Sequence, residues 1–325
     1  MAADCRAGRR PFRRRVGSWL LRAHVLGSAA GGGLPQWNCA CENCTRVRAG
    51  DAGIQARTQD SLALSRGEPG DRWLLVNASP DVLRQIERFA PLHPRAARDT
   101  GIGAIALTNG DLDHVLGLLS LRESQPLVVL TTERVRAGLV ERNALLRTLA
   151  RTPDQVTWKT LELGREVVLP AVGLGVTALA APGKLPVHLV GVVDPSPEDN
   201  VALRVRDLAS GRVCVVATAI GSLDGVDAML RGAELLFCDG TFWSEDEHPS
   251  QGLGKSHARD MAHVPIGGDG GSLARLARVE GLGVSRRVYT HINNTNPVLR
   301  EGSPERVAVE RAGWELSFDG MEIAL

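Results

Sequence analysis

Residues 107–119, LTNGDLDHVLGLL, decide the interpretation of this sequence, because a short apolar run ends there in a cluster of polar side chains. The preceding run, IGAIALT from Ile102, is mostly apolar and predicts a strand that is buried on both faces. The loop after it places four potential oxygen or nitrogen ligands within six residues: Asn109, Asp111, Asp113 and His114. Alone, such a loop fits either a metal site or a simple helix cap.

Two further potential metal ligands lie at the ends of other apolar runs. Asp239 closes the run LLFCD, and His291 follows the run VYT in VYTHINNTNP. Because α/β folds place ligands and chemistry at strand ends, these positions favour a metal site over a cap. The predicted ligands of one active-site metal ion are Asp111, Asp113, His114, Asp239 and His291.

A third patch, AHVPIGGDGGSLARLA, sets His263 before a glycine-rich turn. We predict His263 as the catalytic acid or base, with Asp111 and Asp239 as further catalytic carboxylates or as ligands that complete the metal shell. The alternative for His263 is a surface side chain beside a flexible turn.

The motif CACENC places Cys39, Cys41 and Cys44 in a C-x-C-x-x-C spacing. Three thiolates this close in sequence can bind one tetrahedral zinc ion, which then needs one further ligand. We assign that place to Asn294, three residues beyond His291. A site of this kind has no open position, so it is predicted to be structural and to fold its loop.

Composition and organisation limit the class of protein. The 325 residues are 43% hydrophobic and 23% charged, with a formal net charge of +1, as in soluble globular enzymes. No run resembles a secretory signal or a membrane span, so we expect a cytoplasmic protein without membrane contact. Basic residues form no stripe and aromatic residues are 4%, which disfavours nucleic-acid binding. We predict an Arg-rich tail over residues 1–20 and one domain over residues 21–325, with a helix opening at Glu133.

The stretch TNGDLDHVLGL resembles the T-H-x-H-x-D-H-x-x-G signature of the metallo-β-lactamase superfamily, with Asn109 and Asp111 in place of its first two histidines. Several further stretches make the sequence similar to the pyrroloquinoline quinone (PQQ) biosynthesis protein B family: LGSAAGGGLPQWNC, CACENC, RTQDSLALS, NASPDVLRQI, HVPIGG and HINNTNP. The resemblance covers the chain from about residue 22 to its end.

The resemblance implies an α/β fold, an αβ/βα sandwich of two mixed sheets flanked by helices. It also implies a structural zinc near a homodimer contact and an iron-dependent oxygenase that hydroxylates the tyrosine-derived ring of a cross-linked Glu-Tyr precursor. Carried over by position, Asp113 and His114 match the retained part of the signature, and His291 matches the last histidine ligand. Fe(II), molecular oxygen and a small polyanionic quinone precursor are the expected cofactor and partners.

The departures from the signature favour a single metal ion. VVATAIGS has no aspartate where hydrolytic relatives bridge two metals, and only His188 lies near the place of another lost histidine. Two alternatives remain: a metal-dependent hydrolase, and a carrier for the finished quinone in transport. Arg57, Arg122 and Lys184 are candidate partners for substrate carboxylates, and Asp60 has no assigned role.

Overall fold

The computed structural model describes residues 21–325 except Pro69 and Arg278, and it leaves out the side chains of Val279 and Glu280. The predicted Arg-rich tail, residues 1–20, lies outside the described residues. In the described part of the chain, no helix is long and apolar enough to cross a membrane.

The strands in chain order are β1 (Arg22–Gly27), β2 (Ser61–Ser65), β3 (Trp73–Val76), β4 (Ile102–Ala106), β5 (Leu127–Thr131), β6 (Val156–Thr160), β7 (Glu166–Leu169), β8 (Leu174–Ala180), β9 (Val201–Asp207), β10 (Val213–Ala217), β11 (Leu235–Asp239), β12 (Arg286–Thr290), β13 (Glu315–Leu316) and β14 (Glu322–Ala324). The α-helices are α1 (Glu42–Arg48), α2 (Val82–Arg88), α3 (Leu112–Val115), α4 (Gly117–Ser120), α5 (Glu133–Val140), α6 (Val226–Leu230), α7 (Glu247–Ser250), α8 (Ser272–Arg275) and α9 (Pro304–Arg311).

The strands form two mixed sheets. The first has the order β14-β1-β2-β3-β4-β5-β6, and the second has the order β13-β12-β11-β10-β9-β8-β7. In the first sheet β3, β4, β5 and β6 are parallel neighbours, and in the second β10, β11, β12 and β13 are parallel neighbours. Their central strands β4 and β11 are almost entirely buried, as the apolar runs predict.

One apolar core lies between the two sheets, and it includes Leu62, Leu74, Val176, Leu203 and Phe237. Separate clusters on the outer faces pack the helices onto each sheet. Burial of these side chains, at about 25 cal/mol per Å² of apolar surface, is the main force that holds the layers together. The predicted αβ/βα sandwich is confirmed.

The topology brings several strand ends to one edge of the sandwich. β4 and β11 lead into the loops that begin at Leu107 and Gly240, and β12 leads into His291. A backbone bridge between Asn109 and Asn200 joins the two sheets at this edge. The polar side chains that the sequence places after separate strands therefore meet in one cleft.

Two local predictions need correction. Asp113 and His114 were expected in a loop, but they lie on the short helix α3. The helix that begins at Glu133 ends at Val140, although the whole stretch ERVRAGLVERNALLRTLA, residues 133–150, has the sequence pattern of one helix. The Asn143 side chain accepts a hydrogen bond from the Leu145 backbone N–H at 3.0 Å, so a local turn replaces the helical bond there.

Candidate metal sites

The imidazole of His114 is held by a chain of hydrogen bonds. Its Nδ1 lies 3.0 Å from the Thr108 hydroxyl, which donates its own proton to the Asn77 carbonyl oxygen at 3.0 Å. The hydroxyl can therefore only accept from His114, so Nδ1 carries the proton. The other ring nitrogen, Nε2, is buried and has no hydrogen-bond partner among the described residues. An outward Nε2 lone pair is the arrangement of a metal-binding histidine.

His291 is held in the same way by a second threonine. Its Nδ1 lies 2.9 Å from the Thr241 hydroxyl, whose closest acceptor is the Asp239 carboxylate at 2.6 Å. The charged acceptor takes the hydroxyl proton, so Nδ1 of His291 donates to Thr241. Its buried Nε2 also has no partner among the described residues. His291 has φ 55°, a strained conformation that turns its side chain away from the strand direction.

Both free nitrogens face Asp113. Its Oδ2 lies 3.4 Å from Nε2 of His291 and 3.7 Å from Nε2 of His114, and the three ligand atoms lie within 4.8 Å of one another. These separations fit an ion bound at about 2.1 Å from each ligand. A Cβ added at Gly31 would lie 3.2 Å from Asp113 Oδ2, so the glycine lets this turn pack against the carboxylate without displacing it. The three residues fit one metal ion.

The charges in this cluster support cation binding. Burial lowers the pKa of His291, but the Asp113 carboxylate, 3.4 Å from Nε2, and the charges of Asp60 and Asp239 together raise it to about 9. Burial raises the pKa of Asp113, but the two imidazoles outweigh that effect and hold the pKa below its usual value. Without a metal the site therefore retains a proton, and a cation at Nε2 of His291 would displace it.

The structure places Asp239 on the Nδ1 side of His291, away from the free Nε2. Its carboxylate accepts hydrogen bonds from the backbone of Ile220 and Thr241, from the Thr241 hydroxyl and from His263 Nδ1 at 2.6 Å. Asp239, His263 and His291 do form a second cluster of potential ligands within 4.8 Å. Because the oxygens of Asp239 are already engaged, its chemistry is that of a support for both imidazoles.

Asn109 is engaged elsewhere. Its carbonyl oxygen accepts from the Asp111 backbone N–H at 3.0 Å, and its amide donates to Asn200 at 3.0 Å. Asn200 in turn donates to the backbone carbonyls of Ala181 and Ala219. Asp111 lines the cleft but lies outside both clusters of ligand atoms, so the structure does not bring this predicted ligand to the others. Asn109, which stands in place of the first signature histidine, thus holds the two sheets together through Asn200.

The cleft has a volume of about 500 Å³ and is lined by both imidazoles, Asp113, His263 and Lys184. The structure places the other two candidate substrate contacts, Arg57 and Arg122, away from this cleft. Arg57 is buried and donates to Ser28 and the Ser317 carbonyl, and Arg122 donates to the Leu119 carbonyl, with neither on the cleft wall. His188 is also absent from the cleft lining.

Sequence reasoning missed His248, which lines the cleft. Its Nε2 accepts from the Asn293 amide at 3.1 Å, and its ring packs edge-on against Phe242 at 4.9 Å. Partial burial lowers the pKa of His248, which favours the neutral ring. The only sequence signal was its position nine residues after Asp239, which is too weak to single it out.

A separate cluster contains the three cysteines. The Asn294 amide group lies over all of them, with its nitrogen 3.2, 3.5 and 3.3 Å from the sulfurs of Cys39, Cys41 and Cys44. The oxygen and nitrogen of an amide are interchangeable by rotation, so the oxygen can face the same point. Burial raises the pKa of Cys41 to about 11, and a cation is needed to make all three sulfurs thiolates together. We call Cys39, Cys41, Cys44 and Asn294 the cysteine knuckle.

One loop joins the knuckle and the cleft. It runs from His291, on the cleft, through Asn294, on the knuckle, and is fastened by asparagine side chains. The Asn43 amide donates to the carbonyls of Asn294 and Asn296, and the Asn296 amide donates to the carbonyls of Gly240 and Thr241. The two candidate sites are therefore three residues apart in sequence and mechanically linked.

The two sheets, the cleft between their strand ends and the retained signature residues together indicate the superfamily to which the protein belongs. A family model described as a β-lactamase superfamily domain matches residues 72–292, which contain Asp113, His114 and His291. The chain is a protein of the metallo-β-lactamase fold. A diphosphatase of the PhnP family shares the fold, with a TM-score of 0.65, 20% identity and coverage of 94% of this chain and 97% of that one.

More similar relatives define the family. Coenzyme PQQ synthesis protein B of Pseudomonas putida (strain W619) is 44% identical over 304 residues, which cover 93% of this chain and 99% of that protein. The same protein of Pseudomonas entomophila (strain L48) is 43% identical with the same coverage. The crystal structure of Zn²⁺-bound PqqB from Methylobacterium extorquens is 38% identical, has a TM-score of 0.84, and covers 94% of this chain and 100% of that chain. The chain belongs to the coenzyme PQQ synthesis protein B family.

Proposed function

We propose that this protein acts in PQQ synthesis as a metal-dependent oxygenase that hydroxylates the tyrosine-derived ring of a quinone precursor. Asp113, His114 and His291 hold one Fe(II) ion in the cleft. Membership of the PQQ synthesis protein B family supports the pathway. The observation that carries the chemistry is the pair of buried, unpartnered Nε2 atoms facing one carboxylate. Two imidazoles and one carboxylate with open positions are the ligand set of non-haem iron oxygenases.

A single ion is favoured over a pair. A hydrolase of the superfamily type uses two metals to hold a hydroxide between them. Here Asn109 is engaged by Asn200 and the Asp111 backbone, and Ala219 lies in the region of the bridging aspartate. The oxygens of Asp239 accept hydrogen bonds from protein groups. The donors for a second ion are therefore missing or occupied within the described residues.

His263 is suited to move a proton at the cleft wall. Its Nδ1 donates to the buried Asp239 carboxylate at 2.6 Å, which leaves Nε2 as the atom that can take or give a proton. The ring stacks on His291 at 5.6 Å between centroids, so it lies beside the proposed ion. We assign His263 as the acid or base that serves the phenolic oxygen of the precursor. Iron, when bound, supplies the redox chemistry with oxygen that these side chains lack.

Lys184 is the lysine on the cleft wall among the described residues, and we propose that it binds a carboxylate of the precursor. Asp111 and the neutral His248 line the same wall and are placed to accept or donate hydrogen bonds to the polar groups of this substrate. We further propose a cytoplasmic homodimer, whose mass a sedimentation experiment measures.

We propose a structural zinc ion on the cysteine knuckle. Its support is the convergence of three sulfurs and one amide. The relative from Methylobacterium extorquens is a Zn²⁺-bound protein, which agrees with this assignment. Zinc of this kind stabilises the loop by folding it around the ion.

Anaerobic reconstitution tests the proposed function. The zinc-loaded protein is supplied with Fe(II), then with the cross-linked precursor, molecular oxygen and a two-electron reductant such as ascorbate. We expect one oxygen atom in the hydroxylated ring and the other in water, with His263→Gln much slower at equal iron content. Tight binding of the finished quinone without oxygen uptake would favour the carrier alternative. Hydrolytic turnover without oxygen would favour the hydrolase.

A further inference from the structure

Asp60 is a fully buried carboxylate that the proposed reaction does not use. Among the described residues it accepts hydrogen bonds from the Asn77 amide at 3.3 Å and from the Thr290 hydroxyl at 3.4 Å, both of them long. Asp239, in contrast, receives hydrogen bonds at 2.6 to 3.0 Å from the groups around it. A buried charge with such poor hydrogen bonding is costly unless another charge balances it.

The balancing charges lie at the cleft. Burial raises the pKa of Asp60 above its usual value, and attraction to the imidazoles of His291 and His114 offsets only part of that rise. Thr290, which donates to Asp60, directly precedes His291 in the chain. Asp60 is therefore within electrostatic reach of both imidazoles, and a cation bound to their Nε2 atoms is a suitable counter-charge.

Asp60 also ends the hydrogen-bond chain of His114. Its negative charge requires the Asn77 amide nitrogen to face it, which turns the Asn77 oxygen toward the hydroxyl of Thr108. The backbone N–H of Thr108 donates to the same oxygen at 3.0 Å. This orientation makes the Thr108 hydroxyl accept from Nδ1 of His114 and leaves Nε2 free for a metal.

The geometry points to Asp60 as a positioning residue for the cleft metal: it fixes the His114 tautomer through Asn77 and Thr108 and balances the charge of the bound ion. The inference rests on the proposed metal site. The two imidazoles then have matched supports, each a threonine hydroxyl followed by a buried carboxylate, with Asn77 as the additional link on the Asp60 side.

The test compares Asp60→Asn with the unchanged protein after the knuckle has been loaded with one equivalent of Zn²⁺. Asparagine keeps the size and the hydrogen-bond acceptor but removes the charge. We expect Co²⁺ to bind the cleft about 10- to 100-fold more weakly, as is typical when a support of a metal ligand is lost. Thermal melting of the metal-free proteins checks that Asp60→Asn is folded. Unchanged Co²⁺ affinity would overturn the inference.

A second measurement does not need bound metal. Nitrogen-15 NMR of the histidines in the metal-free protein reports which ring nitrogen of His114 carries the proton. We expect Nδ1–H in the unchanged protein and a new Nε2–H population in Asp60→Asn, because the Asn77 amide then loses its charged partner and is oriented by the Thr108 backbone N–H alone. An unchanged tautomer contradicts the inference, even if the unchanged protein binds no Co²⁺ and the proposed metal site fails.

Two further variants complete the design. Asp207→Asn removes another buried carboxylate, one that caps the turn after β9 through Ala209 and Ser210, and we expect no change in Co²⁺ affinity or His114 tautomer. Asp60→Ser removes the charge with a smaller side chain, in case Asp60→Asn is poorly folded. Equal affinity loss in Asp207→Asn and Asp60→Ser would mean a general effect of buried charge and overturn the assignment.

Discussion

The cysteine knuckle and the cleft differ in ligands and in openness, although one short loop serves both. The knuckle surrounds a point with three sulfurs and an amide from Asn294. The cleft offers two imidazoles and one carboxylate on one side of a cavity of about 500 Å³. A site whose positions are all filled, mainly by sulfur ligands, binds zinc for structure. A site with nitrogen and oxygen ligands and free positions leaves room for reactants. The loop from His291 to Asn294 therefore serves a site suited to folding at one end and a site suited to chemistry at the other.

The largest effect that separates the two sites is expected from His114→Ala. The cleft loses one of its two imidazole ligands, so we expect cleft metal affinity and turnover to fall by more than about 100-fold, beyond the usual cost of losing an outer support. Zinc at the knuckle stays at one ion per chain. Elemental analysis beside an activity assay measures both, and retained cleft metal would contradict the ligand assignment.

The opposite result, loss of the knuckle zinc with the cleft metal retained, is expected from Cys41→Ser. Loss of one thiolate releases the knuckle zinc and lowers the melting temperature, because folding and zinc binding are coupled there. Cleft metal affinity changes by less than about 10-fold, since the asparagine bonds still hold the loop near His291. Differential scanning calorimetry with metal analysis measures these changes. The knuckle assignment is wrong if a triple Cys-to-Ser protein keeps its zinc and stability.

Much of this comparison could be predicted from sequence. The short apolar runs predicted the buried strands β4 and β11. The polar residues that follow such runs predicted that Asp113, His114 and His291 form one group. Asn294 was assigned by its three-residue distance from His291, and the structure brings it to the cysteines. The grouping of Asp113, His114 and His291 could be predicted because the strands before them end at one edge.

Other features depend on side-chain orientation, which sequence does not give. Asp239 and Asp111 were expected to face the ion, but one supports His291 from behind and the other lies outside the cluster. The roles of Thr108 and Thr241 could not be predicted either. Threonine at a strand end is common, and only the structure shows that its hydroxyl meets an imidazole Nδ1.

An intermediate effect on cleft metal affinity is expected from substitution of Thr241, whose hydroxyl contacts Nδ1 of His291. Thr241→Val removes the hydroxyl that fixes the Nδ1 proton, so we expect about 10- to 100-fold weaker binding of the cleft metal. Thr241→Ser keeps a hydroxyl and is expected to bind nearly as well as the unchanged protein. Titration with Co²⁺ at saturated knuckle zinc measures both variants, and equal affinities for the two would contradict this role.

A smaller effect is expected at the glycine that touches Asp113. In Gly31→Ala the added Cβ would lie 3.2 Å from the carboxylate oxygen, closer than normal packing allows, so Asp113 must shift by a few tenths of an ångström. We expect cleft affinity to fall roughly 3- to 10-fold with the knuckle unaffected. Gly281→Ala, with open space around it and no positive φ, is the matched control.

The smallest effect concerns Glu247, which lies between the two sites and accepts from the Trp243 backbone and the Thr295 hydroxyl. Burial raises its pKa to about 7. Since the unfolded value is near 4.3, folding takes up a proton, and this group makes stability highest below that value and lower as pH rises to about 7. In Glu247→Gln, urea unfolding at pH 5 and pH 7.5 should show a smaller difference than in the unchanged protein, and an equal difference would exclude this role.

The number of metal ions per chain tests the central claim most directly. Protein saturated with Zn²⁺ and Fe(II) without oxygen, then freed of excess metal, is measured by elemental analysis beside His114→Ala and Cys41→Ser. We expect two ions in the unchanged chain, one in the knuckle and one in the cleft, and one ion in each variant. Three ions in the unchanged chain, with two lost in His114→Ala, would mean a two-metal cleft and contradict the single-metal oxygenase.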